Sequence, residues 1–78
     1  MVALETQTPT PEAVAELKKK VKKLNSKAGQ MKMDLHDLAE GLPTDYEKLI
    51  EEATKTYDIY SRLAKLKQQL KIWEQQLS

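Results

Sequence analysis

Cysteine and phenylalanine are absent from this 78-residue chain, glycine occurs twice, proline three times and tryptophan once. Without thiols there are no disulfides, no thiolate metal sites and no cysteine nucleophile, and the chain suits a reducing compartment. Two isolated glycines cannot build a phosphate-cradling loop. No apolar run approaches the roughly 20 residues that span a bilayer, and Met1 to Thr10 has neither the basic start nor the apolar stretch of a signal peptide. The expectation is a soluble, cytoplasmic protein with no membrane partner. So short a chain buries a poor fraction of its surface, so its stability needs help from elsewhere.

What is present is Leu, Ala, Lys, Glu and Gln, the composition of long amphipathic helices, and no strand is expected. Val14, Leu17, Val21, Leu24, Ala28, Met31, Leu35, Leu38 and Leu42 follow one another at alternating steps of three and four residues, the spacing of a coiled-coil seam. Thr10-Pro11-Glu12 is a helix start: a hydroxyl to accept from an early N–H, proline at the first position, and an acid at the positive end of the dipole. Gly41 is placed to end the helix in the left-handed conformation, and Pro43 blocks its continuation. Thr44 and Glu47 are spaced as a capping box for a second helix. These signals predict a flexible arm over 1–9 and a hairpin over 10–78, with helix one at about 11–41, a turn at 42–44 and helix two at about 45–76. Each helix is then about 45 Å long at 1.5 Å per residue. The fold class is all-α: an antiparallel, coiled-coil-like two-helix hairpin, with Ala28 near Tyr60 and Val14 near Trp73.

The second helix carries two apolar stripes. Tyr46, Ile50, Ala53, Tyr57, Tyr60 and Ala64 form one; Ile59, Leu63, Leu66, Leu70, Trp73 and Leu77 form the other, about 100° around the helix. One partner helix cannot cover both. The simplest remedy is a homodimer, a four-helix or rod-like assembly, with Ile59, Leu63, Leu66, Leu70 and Trp73 as its expected interface. Gly29, at the level of Ala28, is read as letting backbones approach.

The net charge of +1 hides a polarity. Between Asp34 and Glu52 there are seven acids against one base, Lys48, whereas residues 12–27 and 62–78 together hold ten bases against three acids. A hairpin turns this into an acidic tip and a basic open end, which favours antiparallel association or docking on an oppositely charged partner. The basic stripe from Lys18 to Lys27 has the charge to track phosphates, but a solvated face around Val21 is the plainer explanation, since there is one Arg and no interleaved aromatic.

His36, the single histidine, has Glu40 one turn later, so the pair offers nickel or zinc two ligands. Two ligands make weak transition-metal binding rather than a dedicated site, and no cofactor is required. No nucleophile and base come together on such a rod, and exposed carboxylates on a helix neither exclude water nor hold shifted pKa values as acid-base catalysis needs. The chain is therefore read as no enzyme.

The stretch Lys32-Met33-Asp34-Leu35-His36-Asp37-Leu38-Ala39-Glu40-Gly41-Leu42-Pro43, followed by Ala53-Thr54-Lys55-Thr56-Tyr57, resembles a family of small helical-hairpin proteins of unknown function encoded in nitrogen-fixation gene clusters of cyanobacteria and other diazotrophs. The similarity runs from about Leu17 to Leu70, and LHDLAEGLP is its most specific part. The resemblance implies a cytoplasmic role accompanying nitrogenase assembly or function, with no catalytic residues to carry over. It marks Asp34, His36, Asp37 and Glu40 as a docking surface for a nitrogenase-related partner. The first reading is thus an adaptor or assembly factor; the alternatives are a nucleic-acid-binding dimer using the Lys18 to Lys27 face and a metal-binding accessory protein acting through His36.

Overall fold

The computed structural model describes residues 9–77. Of the predicted arm over 1–9, all but Pro9 lies outside the described residues; Pro9 itself is buried. Two helices, α1 (Pro11–Glu40) and α2 (Leu49–Leu77), are joined by a turn and a single 3-10 segment, Tyr46–Lys48, and there is no strand among the described residues. The hairpin forms a rod with principal extents of 51 × 23 × 15 Å.

The start of α1 is the predicted one. Thr10 is extended (φ −96°, ψ 159°), its hydroxyl accepts from the Ala13 N–H at 3.1 Å, and Pro11 and Glu12 open the helix. The reversal is longer than expected. Gly41 stays right-handed (φ −86°, ψ −1°), its N–H shared between the Asp37 and Leu38 carbonyls at 3.2 Å each. Short-range bonds follow from Leu42 to Ala39, Thr44 to Gly41, Tyr46 to Pro43 and Lys48 to Asp45. They tighten the chain into 3-10 geometry, which satisfies the helix-end carbonyls without a left-handed glycine. The left-handed residue is Asp45 (φ 57°), which is followed by the 3-10 segment, and its side chain makes no capping bond. α2 therefore begins at Leu49, about one turn later than the Thr44/Glu47 signal implied.

The helices meet along one seam. From α1 come Val14, Leu17, Val21, Leu24, Ala28, Met31, Leu35 and Leu38, all buried or half-buried. From α2 come Leu49, Glu52, Thr56, Ile59, Leu63, Leu66, Leu70 and Trp73, again at alternating steps of three and four. At its centre Ala28, fully buried, packs with Ile59 and with Leu63, which is 3% exposed; Val21, Leu24, Met31 and Tyr60 close around them. Ala28 and Tyr60 thus share a level, as the register predicted. Burying a side chain such as Leu63 is worth about 1.5–3 kcal/mol. The polar seam position Thr56 is made tolerable by its hydroxyl, which donates to the Glu52 carbonyl at 2.8 Å. Toward the open end Lys18 reaches across to Glu74 at 3.3 Å, an exposed pair that adds little energy.

Gly29 does not behave as expected. A Cβ built there meets nothing within 4 Å, so no neighbouring backbone in the hairpin requires its absence. Gly29→Ala is expected to stabilise the protein by about 1 kcal/mol through helix propensity, read as a higher thermal midpoint. A lower midpoint would mean that this surface is closely approached after all.

Candidate functional site

The last two turns of α1 project the acidic tip. His36 and Glu40, four residues apart, share a helix face, and the imidazole Nε2 lies 3.6 Å from Glu40 Oε2. Asp37, the next residue, approaches the other ring nitrogen, with Oδ1 3.9 Å from Nδ1. All three side chains are exposed, and their donor atoms fall within 4.8 Å of one another. One imidazole offers one nitrogen to one ion. In this conformation Glu40 and Asp37 sit at opposite nitrogens, so an ion would engage His36 with either carboxylate, and bringing in both requires a side-chain rotation. Asp37 is a donor that the i, i+4 search missed, because adjacent helical positions point about 100° apart and their meeting depends on rotamers.

Asp34, the fourth residue of the predicted docking surface, stands apart: its Oδ1 accepts from Gln30 Nε2 at 3.0 Å. Around the tip Met33 is 58% exposed, and Leu42 is also exposed, giving the acidic surface apolar contact area.

The basic stripe divides. Lys18 pairs with Glu74, and Lys19 lies 3.8 Å from Glu16. Lys20, Lys23 and Lys27 rim a shallow groove of about 320 Å³ together with Arg62, over a floor of Leu24 and Leu66. Arg62 had no sequence signal, since only the register between the helices brings it beside the α1 lysines. No aromatic ring lines this groove, so the stacking expected of a nucleic-acid platform is missing.

The residues expected at a dimer interface lie on the side of α2 that faces α1. Ile59 and Leu63 are buried within the single hairpin, while Leu66, Leu70 and Trp73 are half-buried at its margin. The other stripe is the one left outside: Tyr46 is 62%, Ile50 81% and Tyr57 72% exposed. No helix among the described residues is long and apolar enough to cross a membrane.

Comparison with known proteins agrees with this architecture. The family model described as Rop-like matches residues 12–75. A UPF0437 protein of Nostoc sp. is 64% identical over 59 residues, covering 76% of this chain and 83% of its own length. A UPF0437 protein of Frankia alni, described as lying in a nifX-nifW intergenic region, is 48% identical over 52 residues, covering 67% of this chain and 63% of its own. Among solved structures, a DUF683-family protein from the cyanobacterium Cyanothece 51142 superposes with a TM-score of 0.85 at 76% identity, covering 86% of this chain and 94% of that one. The Rop-like match supports a non-enzymatic protein. This chain belongs to the Rop-like family and to the small helical UPF0437 proteins.

Proposed function

We propose that the protein is a non-enzymatic adaptor or assembly factor associated with nitrogen fixation, and that it engages a cytoplasmic nitrogenase-related partner through its acidic tip. The observation that carries this reading is the convergence of His36, Asp37 and Glu40 on one exposed end of the rod. Support for the pathway comes from the Frankia relative, whose gene lies between nifX and nifW. The adjoining Met33 supplies the adaptable apolar contact that partner surfaces favour, and the surrounding acids steer a basic partner. Combining His36→Ala, Asp37→Asn and Glu40→Gln is expected to weaken partner recovery at least tenfold in pull-downs from nitrogen-fixing cells, with helicity by circular dichroism unchanged. Equal recovery by the triple variant would remove the tip from the account.

A second reading is favoured by the same cluster: the tip as a weak nickel or zinc site, with His36 as the nitrogen ligand and Glu40 or Asp37 as the oxygen ligand. Solvent or a symmetry-related copy then completes the shell. On this reading calorimetric titration with nickel or zinc chloride shows binding tighter than millimolar that His36→Ala abolishes; heats no tighter than millimolar exclude it. The groove of Lys20, Lys23, Lys27 and Arg62 leaves nucleic acid as the less favoured partner, because its charge comes without stacking rings.

A further inference from the structure

The two flanks of the seam are charged differently. Residues just after seam positions line one flank: Lys18 follows Leu17, Glu74 follows Trp73, and the two pair across it at 3.3 Å. Residues just before seam positions line the other. There Lys20, Lys23 and Lys27 precede Val21, Leu24 and Ala28, and Arg62 precedes Leu63. These four cations rim one groove, where a coiled coil ordinarily sets lysine against glutamate. All four are exposed, and among the described residues none has an ion-pair partner. Like charges facing one another in this way oppose closure of the hairpin.

Beneath the charges the groove is apolar. Leu24 and Leu66, both half-buried, form its floor. Past Lys27 and Arg62 it runs on into a second hollow of about 220 Å³, floored by Ile59 and Met31. At that end stand Lys55, already met by Glu51 and Glu52, and Asp58, the one acid lining either hollow among the described residues. From Lys20 to Met31 the trough is about 16 Å long at 1.5 Å per residue, roughly three turns of a helix laid along it.

We propose that this trough is the docking site for an acidic amphipathic helix of a partner protein. Its aliphatic side chains lie on Leu24, Leu66, Ile59 and Met31, and carboxylates beside them pair with Lys20, Lys23, Lys27 and Arg62. Shape selects a helix, because the hollow between two helices packed side by side accepts a third lengthwise, and the flexible Met31 adapts to what it meets. Charge selects an acidic one. Each carboxylate meets a cation that lacks a partner, so docking relieves the repulsion carried by the free hairpin. A polynucleotide supplies the charge but leaves the aliphatic floor uncovered and finds no ring to stack on. A lipid surface meets the rim without reaching the floor of a concave trough. The four cations lie toward the open end of the rod, away from His36, so this site goes beyond the tip reading and stands without it.

The probe is a fluorescein-labelled, capped peptide of about 14 residues, long enough to span the trough, with leucines at steps of three and four, glutamates beside them and a hydrocarbon staple on its outer face. Anisotropy titration of the full chain is expected to show saturable binding, weakened about tenfold or more when the glutamates become glutamine or the leucines become serine. Arg62→Glu is expected to weaken binding by a similar factor and, by removing a like charge from the flank, to raise the thermal midpoint, which separates lost docking from lost folding. Combining His36→Ala, Asp37→Asn and Glu40→Gln is expected to leave peptide binding at the native level, so failure of the tip reading and failure of this one are told apart. The two altered peptides keep the test independent of how any variant folds. Native affinity in Arg62→Glu overturns the proposal, as does equal binding of the serine peptide, which leaves charge alone. So does tighter binding of oligouridylate or of phosphatidylglycerol vesicles than of the peptide, or the absence of saturable peptide binding.

Discussion

Everything else in this protein rests on the contact of Ala28 with Ile59 and Leu63. The smallest apolar residue of the α1 seam lies at mid-rod, where it lets two bulky aliphatic side chains of α2 come in against the helix. The constraint that follows is geometric. A helix pair buries one stripe of each member and no more, so Val14 to Leu38 on one side and Leu49 to Trp73 on the other consume the available partner surface. The ionisable side chains outside the seam face outward, apart from Tyr60, which is half-buried against the Ala28 cluster.

That division explains why the protein is read as a binding element. Open, shallow grooves along the described seam are poor places to desolvate a reacting group, and the Rop-like match supports a non-enzymatic protein. What the rod does offer is separation. The His36, Asp37 and Glu40 cluster lies at one end, the groove of Lys20, Lys23, Lys27 and Arg62 lies toward the other, and the exposed α2 stripe runs between them. Each surface can be engaged without disturbing the seam that holds the hairpin together. One stripe serves folding, and the surfaces outside it are free to serve recognition.

Much of this was legible in the residues, and the failures have specific causes. The α1 seam and its Thr10-Pro11-Glu12 start follow directly from spacing and capping chemistry, and both are observed. On α2 hydrophobicity misled where spacing did not. Counting back from Ile59 by alternating three and four reaches Thr56, Glu52 and Leu49, the true seam, but Tyr46, Ile50 and Tyr57 are the more apolar residues there and look like the better core. The Thr56 hydroxyl can return its hydrogen bond to the backbone, so the polar position costs little and the seam passes through it. At the turn, Gly41 carried the usual signal for a left-handed cap, yet Asp45 adopts that conformation, because successive short-range bonds had already closed the end of α1. The His36 and Glu40 pair was readable from helical spacing, whereas Asp37 and Arg62 enter their clusters only through rotamer and register.

The central claim is that stability is concentrated at the Ala28 level and fades toward both ends of the rod. Residue-resolved amide hydrogen exchange under native conditions tests it most directly, since protection reports the free energy of local opening. The account predicts the slowest exchange at and around Ala28, Ile59 and Leu63, with progressively faster exchange toward Pro11, Leu77 and the turn at 41–48. Exchange at Ile59 and Leu63 as fast as at the helix ends, or protection greatest at the turn, would contradict it.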